Sequence, residues 1–258
     1  MFIPREIAQN ILMGFGPVRR WAQRRHSTGI QSDPVRSKVL FERFAGLVGA
    51  ALAQARILEL GPGRGLGLMR EAQGRCRSYA AFDVERYLTD REVTALGVDY
   101  RVDPRGLLPW GPDSFDVVWS HSVLEHVRQP GEILDDVHRV LSRDGLHLAD
   151  IDLEDHYGSR KSARLVYGFL QYPEWLWSMM TRNRSSYCNR LRRSDWLDLV
   201  EAHSFCVACE TRKPPAVELA QLRKVPYLER FSDDDLMAAQ LILVMKKQAP
   251  GGGGNRCP

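Results

Sequence analysis

The sequence ARILELGPGRGLG at residues 55–67 decides the fold class of this chain. Its first half is a short apolar run, as in a buried parallel strand, and its second half is rich in glycine, as in a turn between a strand and a helix. Glycines remove side chains where the backbone turns sharply and where a ligand approaches closely. We therefore predict a strand, a ligand-binding turn, and a helix that begins near Leu66.

Further apolar runs of strand length follow along the chain, at Tyr79–Phe82, Val98–Val102, Phe115–Trp119, Leu146–Ile151, Phe205–Cys209 and Leu241–Met245. Helical segments lie between them, the clearest at Glu132–Leu141, where the apolar residues form one stripe. Strands that alternate with helices in this way predict an α/β fold, with a seven-stranded, mostly parallel sheet and helices on both faces.

An N-terminal helical extension is predicted at residues 1–54, before the domain that holds the sheet. Its first helix is amphipathic and packs on the domain or on a partner, because apolar residues recur near helical spacing at Ile3, Ile7, Ile11 and Leu12. A second helix is predicted at Pro34–Ala53, with an apolar stripe formed by Val35, Val39, Phe44, Leu47, Val48 and Leu52.

The main domain is predicted at residues 55–248, with a helical cap at about residues 154–194. The cap contains LVYGFLQYPEWLWSMM at residues 165–180, which suits either a cover over a ligand pocket or a pair of helices that completes the core. Its place after the fifth strand favours the cover, because open α/β sheets bind ligands at the carboxyl ends of their strands. The glycine-rich tail at residues 249–258 is predicted to be disordered.

The composition is that of a soluble globular protein, with 258 residues of which 44% are hydrophobic and 26% are charged. The net charge of +4 does not establish nucleic-acid binding. Five cysteines without framework spacing argue against a secreted disulfide scaffold and favour the cytoplasm. Polar residues interrupt the apolar N-terminus, so neither a signal peptide nor stable membrane insertion is expected.

Three acidic residues stand at the ends of three consecutive predicted strands. Glu59 precedes the first glycine by two residues, Asp83 ends the second strand, and Asp103 follows the third. A carboxylate in an apolar strand is costly without hydrogen-bond donors, so Glu59 predicts a ligand network. Asp83 stands where dinucleotide-binding α/β folds hold ribose hydroxyls. The nicotinamide fingerprint G-x-G-x-x-G would need a glycine in place of Leu66, which argues against that cofactor.

Four segments, taken in order, resemble the class I (Rossmann-like) S-adenosylmethionine-dependent methyltransferases of the small-molecule "methyltransferase type 11" group. They are ILELGPGRGLG (57–67), AFDVERY (81–87), VDPRGLLPWGPDSFDVVWSHSVLEHV (102–127) and RVLSRDGLHLADI (139–151). The likeness covers about Arg56 to Asp152 and specifies the cofactor, not the acceptor. A looser likeness at Tyr187–Trp196 is to a subset found in bacterial surface-sugar and secondary-metabolite pathways.

The resemblance implies a role for individual residues around S-adenosylmethionine. The loop beneath its methionine part would be formed by Gly61, Pro62, Gly63 and Gly65, with Glu59 aiding the amino end. Asp83 would accept from both ribose hydroxyls, Val84 would lie against the adenine, and Asp103 with Pro104 would contact the adenine edge. Ser120 and His121 would border the methionine carboxylate and the methyl group.

Methyl transfer from a sulfonium is an in-line displacement, so alignment and exclusion of water can supply much of the acceleration. A base would help an acceptor that carries a proton, and His121 is the first candidate because it follows the fourth strand. His156 and Tyr157 come next. His126 is expected to have a scaffold role, and Glu125 to be a helix-face residue.

Two further groups of residues have a structural interpretation beside a functional one. Cys206 and Cys209 form a lone C-x-x-C inside a predicted strand, which favours core cysteines, and no residue is assigned as a metal ligand. The cluster of arginines could receive an anionic acceptor or form a solvated face, and it comprises Arg182, Arg184, Arg190, Arg192 and Arg193.

These observations predict a transferase that moves a methyl group to an oxygen or nitrogen of a small molecule, a natural-product or sugar-like intermediate. The alternatives are a nicotinamide-dependent oxidoreductase and a non-catalytic binding or assembly module with the same fold. Nucleic acid is not expected as a partner, because residues 120–123 read SHSV and lack the signature of base methylases. The apolar cap and N-terminal arm are compatible with a homodimer and equally with burial within one chain.

Overall fold

The computed structural model describes residues 2–25, 33–156, 167–184, 187–203, 205–212 and 219–247. Its centre is a seven-stranded sheet in the order β3-β2-β1-β4-β5-β7-β6. The strands are β1 Arg56–Leu60, β2 Ser78–Asp83, β3 Asp99–Val102, β4 Phe115–His121, β5 Leu141–Asp152, β6 Phe205–Arg212 and β7 Gln240–Lys247. Strands β1 to β5 pair in parallel, and β7 is antiparallel to both of its neighbours. The predicted mostly parallel sheet is confirmed.

Helices lie on both faces of this sheet and in the segments around it. They are α1 Phe2–Met13, α2 Gly16–Arg25, α3 Pro34–Val48, α4 Gly67–Ala72, α5 Asp90–Leu96, α6 Pro130–Val140, α7 Glu174–Thr181, α8 Arg193–Ala202, α9 Leu219–Leu222 and α10 Asp233–Met237. Within the described residues, no helix combines the length and the apolar character that crossing a membrane requires.

The core consists of two layers because β1 and β4 carry apolar side chains on alternate faces. Ile57 packs with Trp119 under α3 and α4, whereas Leu58 packs with Val118 under α6 and α8. A strand that is covered on both faces is a continuous run of apolar residues in the sequence, which is why these strands could be predicted.

The buried face of α3 agrees with the predicted stripe at Phe44 and, just beyond the helix, at Leu52, and differs from it at the start of the helix. Phe41 and Phe44 are fully buried against the indole of Trp119, with ring centroids 5.9 and 5.6 Å away. By contrast, Val35 and Val39 of the predicted stripe are 72% and 65% exposed. Two apolar stripes compete on this helix, and the aromatic stripe is buried because it covers more area against the central indole.

The buried face of α1 also agrees with the prediction only in part, because Ile3 and Ile7 are half-buried. Ile11 and Leu12 are exposed, while the polar residues Glu6 and Asn10 are buried. Helix α1 packs against α7, and Asn10 donates to the carbonyl of Met179 at 2.9 Å. Buried polar groups need hydrogen-bond partners. Because such partners for Asn10 lie on α7 and in the turn after it, the polar face of α1 is the one that packs there.

Candidate functional site

The loop after β1 lies so close to neighbouring residues that a side chain at Gly61 would not fit. Gly61 and Gly63 have φ angles of +61° and +59°, in the left-handed region that favours glycine. A Cβ atom on Gly61 would come within 2.5 Å of the Val123 side chain. The Gly61 amide donates to the Phe82 carbonyl at 2.8 Å, which ties the loop to the end of β2. The loop therefore presents bare backbone at the carboxyl edge of the sheet.

Glu59 is 5% exposed and points into the layer beneath α3 and α4. Its Oε2 accepts a hydrogen bond of 2.6 Å from the Tyr79 hydroxyl, which itself accepts from Trp119 Nε1 at 2.9 Å. Burial raises the pKa of Glu59 to about 7, the bond from Tyr79 lowers it, and nearby Asp83 raises it further. Tyr79 thus supplies one of the hydrogen-bond donors that the buried Glu59 carboxylate requires.

Asp83 stands at the end of β2, directly beside the glycine loop. It is 8% exposed, its Oδ1 accepts from the Glu85 amide at 3.3 Å, and the backbone amides of Val84 and Gly63 also lower its pKa. Burial raises its pKa to about 6 against the opposing effect of these amides. A carboxylate fixed in this way can accept hydrogen bonds from a ligand that lies across the end of the strand.

Asp103 is held beside Asp83 by a backbone hydrogen bond of 3.2 Å from its amide to the Asp83 carbonyl. Its carboxylate is engaged by Arg105, at 2.8 Å from Nη2 and 3.1 Å from Nε, and these bonds lower its pKa. The side chain of Val84 is exposed near the same strand ends. The predicted adenine contacts of Val84, Asp103 and Pro104 stay predictions.

Ser120 is 1% exposed near the end of β4, in register with Leu60 of β1. Its hydroxyl has no hydrogen-bond partner among the described residues. A buried hydroxyl without a partner is costly. The Ser120 hydroxyl therefore lies next to the loop at a place where a ligand or a water molecule can supply the missing hydrogen bond.

His121, the last residue of β4, is held by a buried acid. Its Nδ1 lies 3.2 Å from Asp150 Oδ2, and the other oxygen of Asp150 accepts from Gln240 at 2.5 Å. His121 Nε2 lies 3.4 Å from the guanidinium of Arg36 on α3. A guanidinium can only donate, so Nε2 carries the lone pair and Nδ1 carries the proton that Asp150 accepts. This is the orientation that a histidine base requires.

The remaining base candidates lie elsewhere along the same edge. His156 is held by Asp152, with 3.1 Å between Nε2 and Oδ2, and lies 3.4 Å from the Cys188 sulfur through Nδ1. Tyr157 lies outside the described residues. His126 donates from Nδ1 to the Tyr187 carbonyl at 2.6 Å, in agreement with a scaffold role.

Glu125 is not the helix-face residue that was predicted. It lies in a 3-10 turn at Leu124–His126 and is 2% exposed. Neither of its carboxylate oxygens has a hydrogen-bond partner of normal geometry among the described residues. Burial raises its pKa well above the usual range, so the structure favours a neutral carboxylic acid at this position.

Three of the five arginines in the predicted cluster are held by other segments of the chain. Arg192 is fully buried and donates to several backbone carbonyls, including those of Leu153 and Ala238 at 2.9 and 2.5 Å. Arg184 pairs with Glu6 at 2.7 Å, and Arg190 pairs with Glu174. Each of these side chains joins separate segments, which sequence spacing does not reveal.

A cavity of about 300 Å³ lies on the α3 side of the glycine loop. Pro34 and Ser37 line it from α3, and Arg64, Arg70 and Glu71 line it from the loop and α4. Arg64 thus lines this cavity. The side chains of Cys206 and Cys209 lie outside the part of the chain that the structure describes.

Sequence reasoning missed the partners that orient the site. Tyr79 and Trp119 hold Glu59, and Asp150 with Gln240 holds His121. Asp150 had a usable signal, because it is acidic within the apolar run of β5 and therefore needs a donor when buried. Gln240 has no such signal, since it opens a strand where polar residues are ordinary.

Residues 58–149 match the family model described as "Methyltransferase domain". No curated protein matches the chain. The matched segment begins in β1 and ends in β5, so it contains the glycine loop, Asp83, Ser120 and His121.

Solved structures share the fold at low sequence identity. The YcgJ protein of Bacillus subtilis is 15% identical over 83% of this chain and 99% of its own, with a TM-score of 0.52. The [4+2]-cyclase SpnF is 16% identical over 82% of this chain and 81% of its own, with a TM-score of 0.54. The 1,6-didemethyltoxoflavin-N1-methyltransferase of Burkholderia thailandensis, solved with S-adenosylhomocysteine, is 17% identical over 85% and 80%, with a TM-score of 0.51.

Proposed function

We propose that this chain, whose residues 58–149 match the methyltransferase domain family, transfers the methyl group of S-adenosylmethionine to an oxygen or nitrogen of a small molecule. The observation that carries this proposal is the buried Asp83 carboxylate beside a loop of bare backbone. The fold alone does not carry it, because a protein described as a [4+2]-cyclase has the same fold.

The residues at the edge of the sheet fit S-adenosylmethionine in chemistry. Asp83 offers acceptors to the ribose hydroxyls, and Gly61 and Gly63 leave room for the methionine part. The Ser120 hydroxyl is buried without a partner among the described residues, which suits a polar ligand group. Glu59 lies beneath the loop, where its charge would favour a cationic amino group. When bound, the cofactor supplies a methyl group on a cationic sulfur.

His121 is the residue to which we assign proton removal from the acceptor. Its register neighbour on β5 is Asp150, and Ser120 before it pairs with Leu60, so His121 lies beside the start of the loop. Asp150 keeps the lone pair on Nε2 and stabilises the charge that appears when Nε2 takes a proton. His156 is held between Asp152 and Cys188, which makes it the weaker base candidate.

A small molecule is the acceptor class that we propose. The loose likeness at Tyr187–Trp196 supports a sugar-like or natural-product intermediate, and the toxoflavin enzyme with the same fold acts at a nitrogen. Segment SHSV at residues 120–123 argues against nucleic-acid bases. We place the reaction in the cytoplasm, since five cysteines without framework spacing suit a reducing compartment.

Calorimetric titration with S-adenosylmethionine, S-adenosylhomocysteine, NAD and NADP tests the cofactor. We expect saturable binding of the first two, and at least tenfold weaker binding in Asp83→Asn, because a hydrogen bond to a charged group contributes about 1.5–3 kcal/mol. Asp90→Asn is the matched control, since Asp90 is an exposed acid on α5 paired only locally with Arg86. Binding of a nicotinamide cofactor alone, or of none of the four, would overturn the proposal.

A further inference from the structure

Three residues with metal-binding side chains meet outside the methyltransferase site described above. One ring nitrogen from His126, one from His156 and the sulfur of Cys188 all lie within 4.8 Å of one another. They come from three places in the fold: the turn after β4, the end of β5 and the segment before α8. Cys188 is buried, with 2% of its surface exposed.

The distances suit a small tetrahedral ion. Zinc binds sulfur at about 2.3 Å and imidazole nitrogen at about 2.0–2.1 Å, which separates two such ligands by about 3.5 Å. The Cys188 sulfur lies 3.4 Å from His156 Nδ1, and one ring nitrogen of His126 lies within 4.8 Å of both. The three side chains therefore need to approach one another by about an ångström to share an ion.

Each histidine has a partner that fixes its other nitrogen. His156 Nε2 lies 3.1 Å from the carboxylate of Asp152, which leaves the lone pair of Nδ1 toward the sulfur. His126 Nδ1 donates to the Tyr187 carbonyl at 2.6 Å, which leaves the lone pair on Nε2. Metal-binding histidines ordinarily donate their second N–H to a carboxylate or a backbone carbonyl in this manner.

The surroundings are acidic, which favours a cation. Glu125 is almost fully buried, and its two oxygens have no hydrogen-bond partner of normal geometry among the described residues. Its backbone carbonyl accepts from the amide of Asn189, the residue after Cys188, at 2.8 Å. Besides burial, the carboxylates of Asp155 and Asp152 raise the pKa of the Cys188 thiol. Arg128 lies over the Tyr187 ring, with its guanidinium carbon 4.0 Å from the ring centroid.

We propose that His126, His156 and Cys188 form a binding site for one divalent transition-metal ion of the zinc type, held through two imidazole nitrogens and one thiolate. Three protein ligands leave the fourth tetrahedral position open to water, to Glu125 or to an oxygen or sulfur atom of a substrate. Binding releases the Cys188 proton to solvent, because the thiolate is the form that coordinates. The site does not depend on methyl transfer.

Cobalt titration of the full-length, chelator-treated chain tests the site by absorption, because tetrahedral cobalt bound to a thiolate gives both a sulfur-to-metal charge-transfer band and visible bands. We expect one cobalt ion per chain and displacement by zinc. Cys188→Ser should remove the charge-transfer band, and His156→Gln should weaken binding at least tenfold. His156 is exposed, so its replacement leaves the fold intact even if the buried Cys188→Ser variant does not fold.

Matched controls separate this site from other thiols and histidines. Cys76→Ser changes the other described cysteine, and His203→Gln changes a histidine paired with Asp135 on another part of the surface. Cys206→Ser/Cys209→Ser tests the C-x-x-C pair. All three should retain the cobalt spectrum. A folded chain that shows no charge-transfer band, or a band that survives both Cys188→Ser and His156→Gln, would overturn the proposal.

Discussion

His121 and Asp150 form a histidine–carboxylate pair at the carboxyl ends of β4 and β5, with 3.2 Å between Nδ1 and Oδ2. Because Arg36 contacts Nε2 and has no acceptor, the pair fixes the Nδ1–H tautomer. Nitrogen NMR of labelled chain should show this tautomer for neutral His121 and its loss in Asp150→Asn. Asp135→Asn, which changes the partner of His203, should leave the His121 signals unchanged. An Nε2–H tautomer in the unmodified chain would contradict the assignment.

The buried carboxyl of Glu59 should make stability depend on pH. Burial raises its folded-state pKa to about 7 from an ordinary value of 4.5, so the folded state holds the proton more tightly than the unfolded state. Its stabilising contribution is present below pH 4.5 and is lost as the pH rises through about 7. The difference amounts to about 3 kcal/mol at 1.36 kcal/mol per pKa unit. Glu59→Gln should therefore gain about that much relative to the unmodified chain between pH 4.5 and 8.

Denaturant unfolding of the cofactor-free chain at several pH values measures this gain. Glu42→Gln is the control, because Glu42 is exposed, pairs with Arg75 and has a lowered pKa. That variant should follow the unmodified chain between pH 5 and 8. Parallel curves for Glu59→Gln and the unmodified chain would show that Glu59 titrates normally.

The sheet and the cofactor loop could be predicted because their signals are local. A strand buried on both faces is a continuous apolar run, and a loop that must expose its backbone is rich in glycine. Asp83 and His121 could be placed at strand ends because the strands themselves were identified. The observed strands β1 and β4 begin within one residue of their predicted starts.

The faces of α1 and α3 could be predicted only in part, because the deciding contacts are distant in sequence. Asn10 bonds to Met179 and Asn183, more than 160 residues away, and these bonds bury a polar face. The group of His126, His156 and Cys188 is scattered in the same way, without a ligand spacing for the sequence to show. Arg192 appeared as one of several arginines, and only the fold shows that it is buried.

Asn10 should hold α1 on α7. It donates to the Met179 carbonyl at 2.9 Å and accepts from the Asn183 amide at 2.7 Å. Asn10→Leu leaves both backbone groups without these bonds, at a cost of about 1–3 kcal/mol for each buried group that water cannot reach. We expect faster hydrogen exchange over α1 and the end of α7, with the sheet unchanged. Leu12→Ala is the control, because Leu12 is exposed on the opposite face. Unchanged exchange in α1 would mean that other contacts hold it.

His147 should make the chain less stable in acid, with the opposite sign to Glu59. It is fully buried, neither ring nitrogen has a hydrogen-bond partner among the described residues, and burial lowers its pKa to about 3 from 6.5. As the pH falls below 6.5, His147 therefore binds a proton in the unfolded state but not in the folded state. At pH 5 the loss is about 2 kcal/mol, from 1.5 pKa units at 1.36 kcal/mol each.

His147→Leu removes this titrating group at similar volume. The free energy of unfolding of the variant, relative to that of the unmodified chain, should rise by about 2 kcal/mol from pH 7.5 to pH 5. Leu148→Met is the control, since Leu148 is the buried neighbour on β5 and does not titrate. Its curve should run parallel to that of the unmodified chain. If the His147→Leu curve also ran parallel to that of the unmodified chain, the prediction would be wrong. His147 would then take up a proton in the folded state, and its ring would have to contact water or a hydrogen-bond acceptor on acidification.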